Sequence, residues 1–129
     1  LLTIMALVVA KSLIVPLQAE FFALEGLSQL VKTIDRIKIQ LNPKLDIRGV
    51  LLTMFDRRNK LSSQVDAEAR KFFDRKVYQT VIPRNVRLSE APSHGTPGLI
   101  YDKLCAGSKS YIDFAEEFLK QEHIMESAA

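Results

Sequence analysis

The chain of 129 residues is one domain's worth, and 47% hydrophobic with 26% charged residues is the balance of a soluble globular protein with one core. A net charge of +3 permits contact with nucleic acid or anionic lipid without demanding either. Cys105 is the single cysteine, which excludes an intramolecular disulfide, and His94 and His123 add no zinc-type ligand spacing to it.

The chain opens on an apolar run from Leu1 to Leu17, broken by Lys11 and Pro16. A membrane span needs about 20 mostly apolar residues, and a secretory signal needs a basic start and a small-residue cleavage site, so neither fits. The expectation is a sequence that begins inside a fold: a buried helix over 1–10, then a short interior parallel strand at Leu13-Ile14-Val15 with Pro16 at its end. Gln18 and Glu20 follow at the strand's carboxyl edge. From Ala23 to about Leu41, apolar residues including Leu24, Leu27, Leu30, Val31, Ile34 and Ile37 recur at three-and-four spacing, which predicts one helix. Asn42-Pro43 stops it, since a residue before proline avoids the helical region.

Val50 to Phe55 reads as a second interior strand, and the polar, basic run Asp56-Arg57-Arg58-Asn59-Lys60 as the loop behind it. Ser63 and Asp66 have capping-box spacing for a helix with Val65, Ala69, Phe72 and Phe73 on its apolar face, closed by Asp74-Arg75-Lys76. Residues 77–82 predict a third strand, and Ser89-Glu90 the start of a helical turn stopped by Pro92. Leu99-Ile100-Tyr101 reads as a short edge strand or extended segment, and Ser110 with Asp113 as the start of a last helix with Tyr111, Ile112, Ala115, Phe118 and Leu119 on one face, its tail fraying from Gln121. Strands alternating with helices spell right-handed βαβ units and a parallel sheet. Three strands make a thin sheet to cover on both faces, so the expected architecture is half of a larger doubly wound α/β sheet.

The chemistry concentrates behind the third strand. Pro83 supplies no backbone donor and ends the ladder, and Arg84, Asn85 and Arg87 then sit at a carboxyl edge, where open α/β sheets bind ligands. Such a loop suits a base edge or a phosphate, and equally an ordinary connection with solvated arginines. No G-x-x-x-x-G-K-[ST] phosphate loop occurs, and no G-x-S-x-G elbow supports a hydrolase site at Ser89, Ser93 or His94. Cys105 has no partners for a thiol nucleophile.

The run IPRNVRLSEAPSHG, with VLLTMFD and ALEGLSQL upstream, resembles the C-terminal half of a ParA/Soj-type chromosome-partitioning ATPase of the P-loop NTPase class, over residues 1 to about 119. The resemblance implies the C-terminal half of a mostly parallel P-loop sheet, one partial domain over 1–129. It implies ATP and magnesium as cofactors of the intact protein, with the phosphate loop and magnesium carboxylate in the part not present here, so that this chain alone is expected neither to hydrolyse ATP nor to bind either cofactor tightly. Met54, Pro83, Arg84 and Asn85 match the family's adenine-flanking positions, and Arg58 and Arg87 its DNA-contacting arginines; Lys71, Arg75 and Lys76 are added for charge alone. Nonspecific nucleoid DNA, a ParB-type partner and a second copy of the protein are the implied partners, in the cytoplasm and with no membrane role. Met5 and Lys11 depart from the family pattern in a polar and in an acidic or small position respectively. The alternative is a nucleotide-free remnant that binds DNA or protein. A MinD-like membrane relative is disfavoured, because 121–129 lacks a basic amphipathic face.

Overall fold

Residues 1–20 and 22–128 are described by the computed structural model, Ala128 without its side chain. Among the described residues, two strands and six α-helices follow in order: α1 (Leu2–Val9), β1 (Ser12–Gln18), α2 (Ala23–Gln40), β2 (Asp46–Thr53), α3 (Lys60–Phe73), α4 (Val86–Glu90), α5 (Gly98–Tyr101) and α6 (Ala106–Ala128). The class is α/β, as expected. β1 and β2 pair in parallel from Ser12↔Asp46 to Gln18↔Thr53, with an irregularity between Leu13 and Ile14. Pro16 lies inside β1 rather than at its end, opposite Leu51, which a strand with only one hydrogen-bonded neighbour tolerates.

The expected third strand forms only in part. Residues 77–84 run parallel beside β2 through isolated bridges at Val50↔Val77 and Phe55↔Pro83. Tyr78 N donates to Val50 O at 3.0 Å and Ile82 N to Leu52 O at 2.8 Å. Four residues on this segment therefore span two on β2, and 79–81 are pushed out of the ladder. The displaced donors of Gln79 and Thr80 both reach the Glu117 carboxylate on α6, each at 2.8 Å.

Val15, Leu17, Ile34, Leu45, Val50 and Leu52 belong to the main core between the sheet, α2 and α3. A second cluster on the sheet's other face joins Leu51, Tyr78 and Ile82 to Phe114 and Phe118 of α6. The amphipathic reading of α2 holds, with Leu27, Ile34 and Ile37 buried. α1 is helical but not buried: only Leu7 is covered, and Leu2, Met5 and Val9 face outward. The Asn42 amide closes its end, donating to Leu7 O and Ala10 O at 3.0 and 2.9 Å.

Local start signals resolve differently from the capping-box patterns. Asn59 caps α3, its Oδ1 accepting from Leu61 N at 2.9 Å, so Ser63 lies inside the first turn and Asp66 pairs with Arg70 instead. α6 begins at Ala106, and the Ser110 hydroxyl donates back to Ala106 O at 2.8 Å. Its helix continues through Ala128 where fraying is expected from Gln121, Ala129 lying outside the described residues. Gly98–Tyr101 is a single helical turn rather than an edge strand. The turn predicted from Ser89 starts at Val86, and Pro92 falls inside the 3-10 turn Ala91–His94 that follows.

Candidate functional site

The carboxyl ends of β1 and β2 and the end of the 77–84 segment meet at one cavity of about 300 Å³, lined among others by Gln18, Thr53, Met54, Pro83, Asn85 and Tyr111. Three of the four residues expected around a base thus come together from two loops distant in sequence. Met54 takes a left-handed backbone at φ 53°, which costs a non-glycine residue about 1–2 kcal/mol and is least awkward for an unbranched side chain. The turn is held behind it by Phe55 N donating to Ile82 O and Arg84 N donating to Phe55 O, both at 3.0 Å. Asn85 is the cap of α4: its Oδ1 accepts from Leu88 N at 3.3 Å, and its amide nitrogen donates to nothing among the described residues. A carboxamide held by its oxygen presents its NH₂ in a defined direction.

Gln18 was foreseeable as a polar residue at a strand's carboxyl edge. Tyr111 was not, because its spacing assigns it to the apolar face of α6, whereas the residue is 41% exposed and lines the cavity. A larger groove of about 620 Å³ runs between β1 and α2, lined mainly by apolar groups such as Val15, Leu17 and Leu27 together with Gln18 and Glu20, and holds none of the residues expected around a base or on DNA.

Arg84 does not line the base-sized cavity. It lies in an adjoining groove of about 610 Å³ with Arg57 and Arg58, Pro83 forming the shared wall. Arg87 lines neither. Its Nη1 is 3.5 Å from Glu90 Oε2 and its Nε 3.6 Å from Asp102 Oδ2, so it ties α4 to the residue that follows α5. The Tyr101 hydroxyl donates to the same Glu90 oxygen at 3.0 Å, and His94 stacks on the Tyr101 ring. Tyr101 first, then the Glu90 and Asp102 carboxylates, hold the Arg87 guanidinium more firmly protonated than an isolated arginine.

The weaker candidates sit elsewhere. Lys71 and Arg75 are exposed at the end of α3 and in the turn after it, and Lys76 pairs with Asp46 at 3.2 Å, at the opposite end of β2 from the cavity. Burial pushes the Asp46 carboxyl up, but Lys76 and its backbone contact outweigh this and hold it below its ordinary range. Cys105 is spent locally, its thiol donating to the Ser108 hydroxyl at 3.3 Å. Among the described residues, no group of three or more His, Cys, Asp or Glu is placed to hold a metal, and no helix is long and apolar enough to cross a membrane.

A family model described as an AAA domain matches residues 1–47. The chromosome partitioning protein ParA of Caulobacter vibrioides is 55% identical over 128 residues, covering 99% of this chain and 48% of that protein. The sporulation initiation inhibitor protein Soj of Bacillus subtilis is 55% identical over 117 residues, covering 91% of this chain and 46% of that protein. Among solved structures, cobyrinic acid a,c-diamide synthase from Mycobacterium smegmatis with bound ADP and magnesium superposes with a TM-score of 0.71 at 28% identity, over 95% of this chain and 43% of that one. Likeness of this strength along nearly all of its length places the chain in the ParA/Soj family of chromosome-partitioning proteins, and it spans about half the length of the relatives it matches.

Proposed function

We propose that the chain is part of a ParA-type partition ATPase, in which it supplies the wall around the nucleotide base and part of the DNA-facing surface. The observation that carries this is the convergence of Met54, Pro83 and Asn85 on one cavity at the strand ends. A polarizable thioether and a proline ring suit the face of a purine, and the free amide of Asn85 suits its edge. In the intact protein ATP, with magnesium, would supply the phosphoanhydride bond that is hydrolysed. These residues fit its base, and the chain holds no phosphate loop, so they act by holding the base and by excluding water from its faces. The intact protein would dimerise, act on nucleoid DNA in the cytoplasm and respond to a ParB-type partner.

Met54→Gly tests the cavity. Glycine adopts φ near 53° without strain, so the variant is expected to be as stable as the parent or up to about 1 kcal/mol more so, while a form extended to the length of its relatives loses most of its affinity for a fluorescent adenine nucleotide. Fluorescence titration alongside a thermal melt reads both. Undiminished affinity would remove Met54 from the base site.

Arg58 and Arg87 test the DNA surface. Reversing either charge is expected to weaken binding to a random-sequence duplex and to lower the slope of log affinity against log salt by about 1 to 2. Unchanged affinity in both variants would discard the assignment. The second reading, a nucleotide-free DNA- or protein-binding module, is favoured by one fact: the arginine groove shares only Pro83 with the base cavity. DNA binding that persists in a chain showing no affinity for ATP, even in a form extended to the length of its relatives, would select it.

A further inference from the structure

We infer that Arg57 and Arg84 join Arg58 in a single groove that grips the phosphate backbone of nucleic acid, so that Arg84 serves the polyanion and not the base. The inference rests on the DNA-binding reading above and assigns two residues to it. All three guanidinium groups are exposed, and none makes an ion pair or a side-chain hydrogen bond among the described residues. Arg87, by contrast, is occupied by Glu90 and Asp102. Asp56 is the one acid lining the groove, and its Oδ1 is turned inward to accept from Arg58 N at 3.0 Å. Three cations against one carboxylate leave a strongly positive concavity.

The groove is also preorganised. Asn59 N donates to Asp56 O at 3.0 Å and Asn59 then caps α3, which fixes the turn bearing Arg57 and Arg58. The Arg84 N to Phe55 O bond ties the second arginine loop to the first. Opposite them, Ala106 and Ser110 bring the amino end of α6 to the wall, where the helix dipole adds to the positive potential. Guanidinium groups on a pinned backbone hold phosphate oxygens bidentately and without reading sequence. The same chemistry would also grip the phosphate tail of a nucleotide whose base lies beyond Pro83. Exposure of all three side chains favours a long polyanion lying across the groove.

The experiment compares Arg57→Gln, Arg84→Gln and the double variant, with Arg36→Gln on the exposed face of α2 as a control for net charge. Each is titrated with a random-sequence duplex across a salt series, with inorganic polyphosphate, and with a fluorescent ATP analogue. Each single change is expected to weaken duplex binding three- to tenfold and to lower the salt slope by about 1, the double by about 2, with polyphosphate following and the analogue and the control unmoved. Loss of analogue affinity in Arg84→Gln with an unaltered duplex slope would overturn the inference in favour of the nucleotide tail. Parent-like slopes in all variants, or a parent that binds neither polyanion, would overturn it outright. Arginine-dependent binding of polyphosphate by a chain that ignores DNA would keep the groove and refute the DNA-binding reading instead. The three side chains are exposed, so melting temperatures should match the parent's.

Discussion

Gly49→Ala is expected to destabilise the chain by about 3 kcal/mol and to lower its melting temperature by roughly 10 °C, the cost of forcing one methyl into a full space. A Cβ at this position would lie 2.4 Å from both Cε2 and Cζ of Tyr78 and 2.6 Å from its hydroxyl oxygen. The ring cannot yield easily, being 1% exposed and packed edge-to-face on Phe114 with centroids 4.8 Å apart. β2 cannot retreat either, since it is held by β1 on one side and the 77–84 segment on the other. Replacing Tyr78 by leucine in the Gly49→Ala background removes the obstructing ring tip, so the two changes together should cost clearly less than their sum. Additive costs in urea melts would show that the close approach is not the cause.

Tyr78 itself gives the pH dependence. Its hydroxyl is buried with no hydrogen-bond partner among the described residues, and burial first, with Glu117 and Glu122 in the same direction against Arg48, pushes the phenol above its ordinary range. The unfolded chain then loses this proton before the folded one, so the folded state binds more protons and stability falls as pH rises past the ordinary tyrosine value of about 10. Tyr78→Phe should flatten that fall and be neutral or slightly stabilising at neutral pH.

Much of this arrangement is legible in the residues. The three-and-four stripe of α2 marks Leu27, Ile34 and Ile37 for the core, because a helix face that wide has only one way to be covered. Pro83 ends the segment beside β2 and so sets Arg84 and Asn85 at the strand's carboxyl edge, and the resemblance to ParA/Soj motifs names Met54, which lines one cavity with Asn85 while Arg84 does not. Other features are invisible locally. A run rich in β-branched residues such as Val77–Ile82 reads the same with or without a continuous ladder, and what opens this one is a carboxylate 37 and 38 residues away. The pairing of Arg87 with Glu90 lies within reach of helical spacing, but the Asp102 contact exists only once α5 folds back. The aliphatic richness of α1 says that the helix favours cover, and the described residues cover only Leu7. Capping patterns compete: Asn59 lies four residues before Ser63 and wins because its side chain meets the donor of Leu61.

Glu117→Ala is the other change of large expected effect, about 2–3 kcal/mol, because one carboxylate accepts from two backbone donors that the sheet has abandoned. Hydrogen bonds to a charged acceptor contribute about 1.5–3 kcal/mol each, discounted here because Gln79 is exposed and its donor regains water. Thr80 is only half-exposed and loses more. Glu117→Gln keeps one carbonyl acceptor without the charge and should cost about half as much. Amide exchange is the diagnostic measurement: the protons of Gln79 and Thr80 should exchange far faster in the alanine variant while those of β2 keep pace with global stability. The consequence reaches the candidate site, because the bulge at 79–81 leads directly into Ile82, whose carbonyl receives Phe55 N, and into Arg84, which donates to Phe55 O. Slackening it frees the two loops that shape both the base cavity and the arginine groove, so nucleotide and duplex affinities should fall together in Glu117→Ala, although Glu117 lines neither. A variant that melts like the parent and protects both amides would show that Glu117 adds nothing to what Phe114, Phe118 and the Arg48–Glu122 pair already hold.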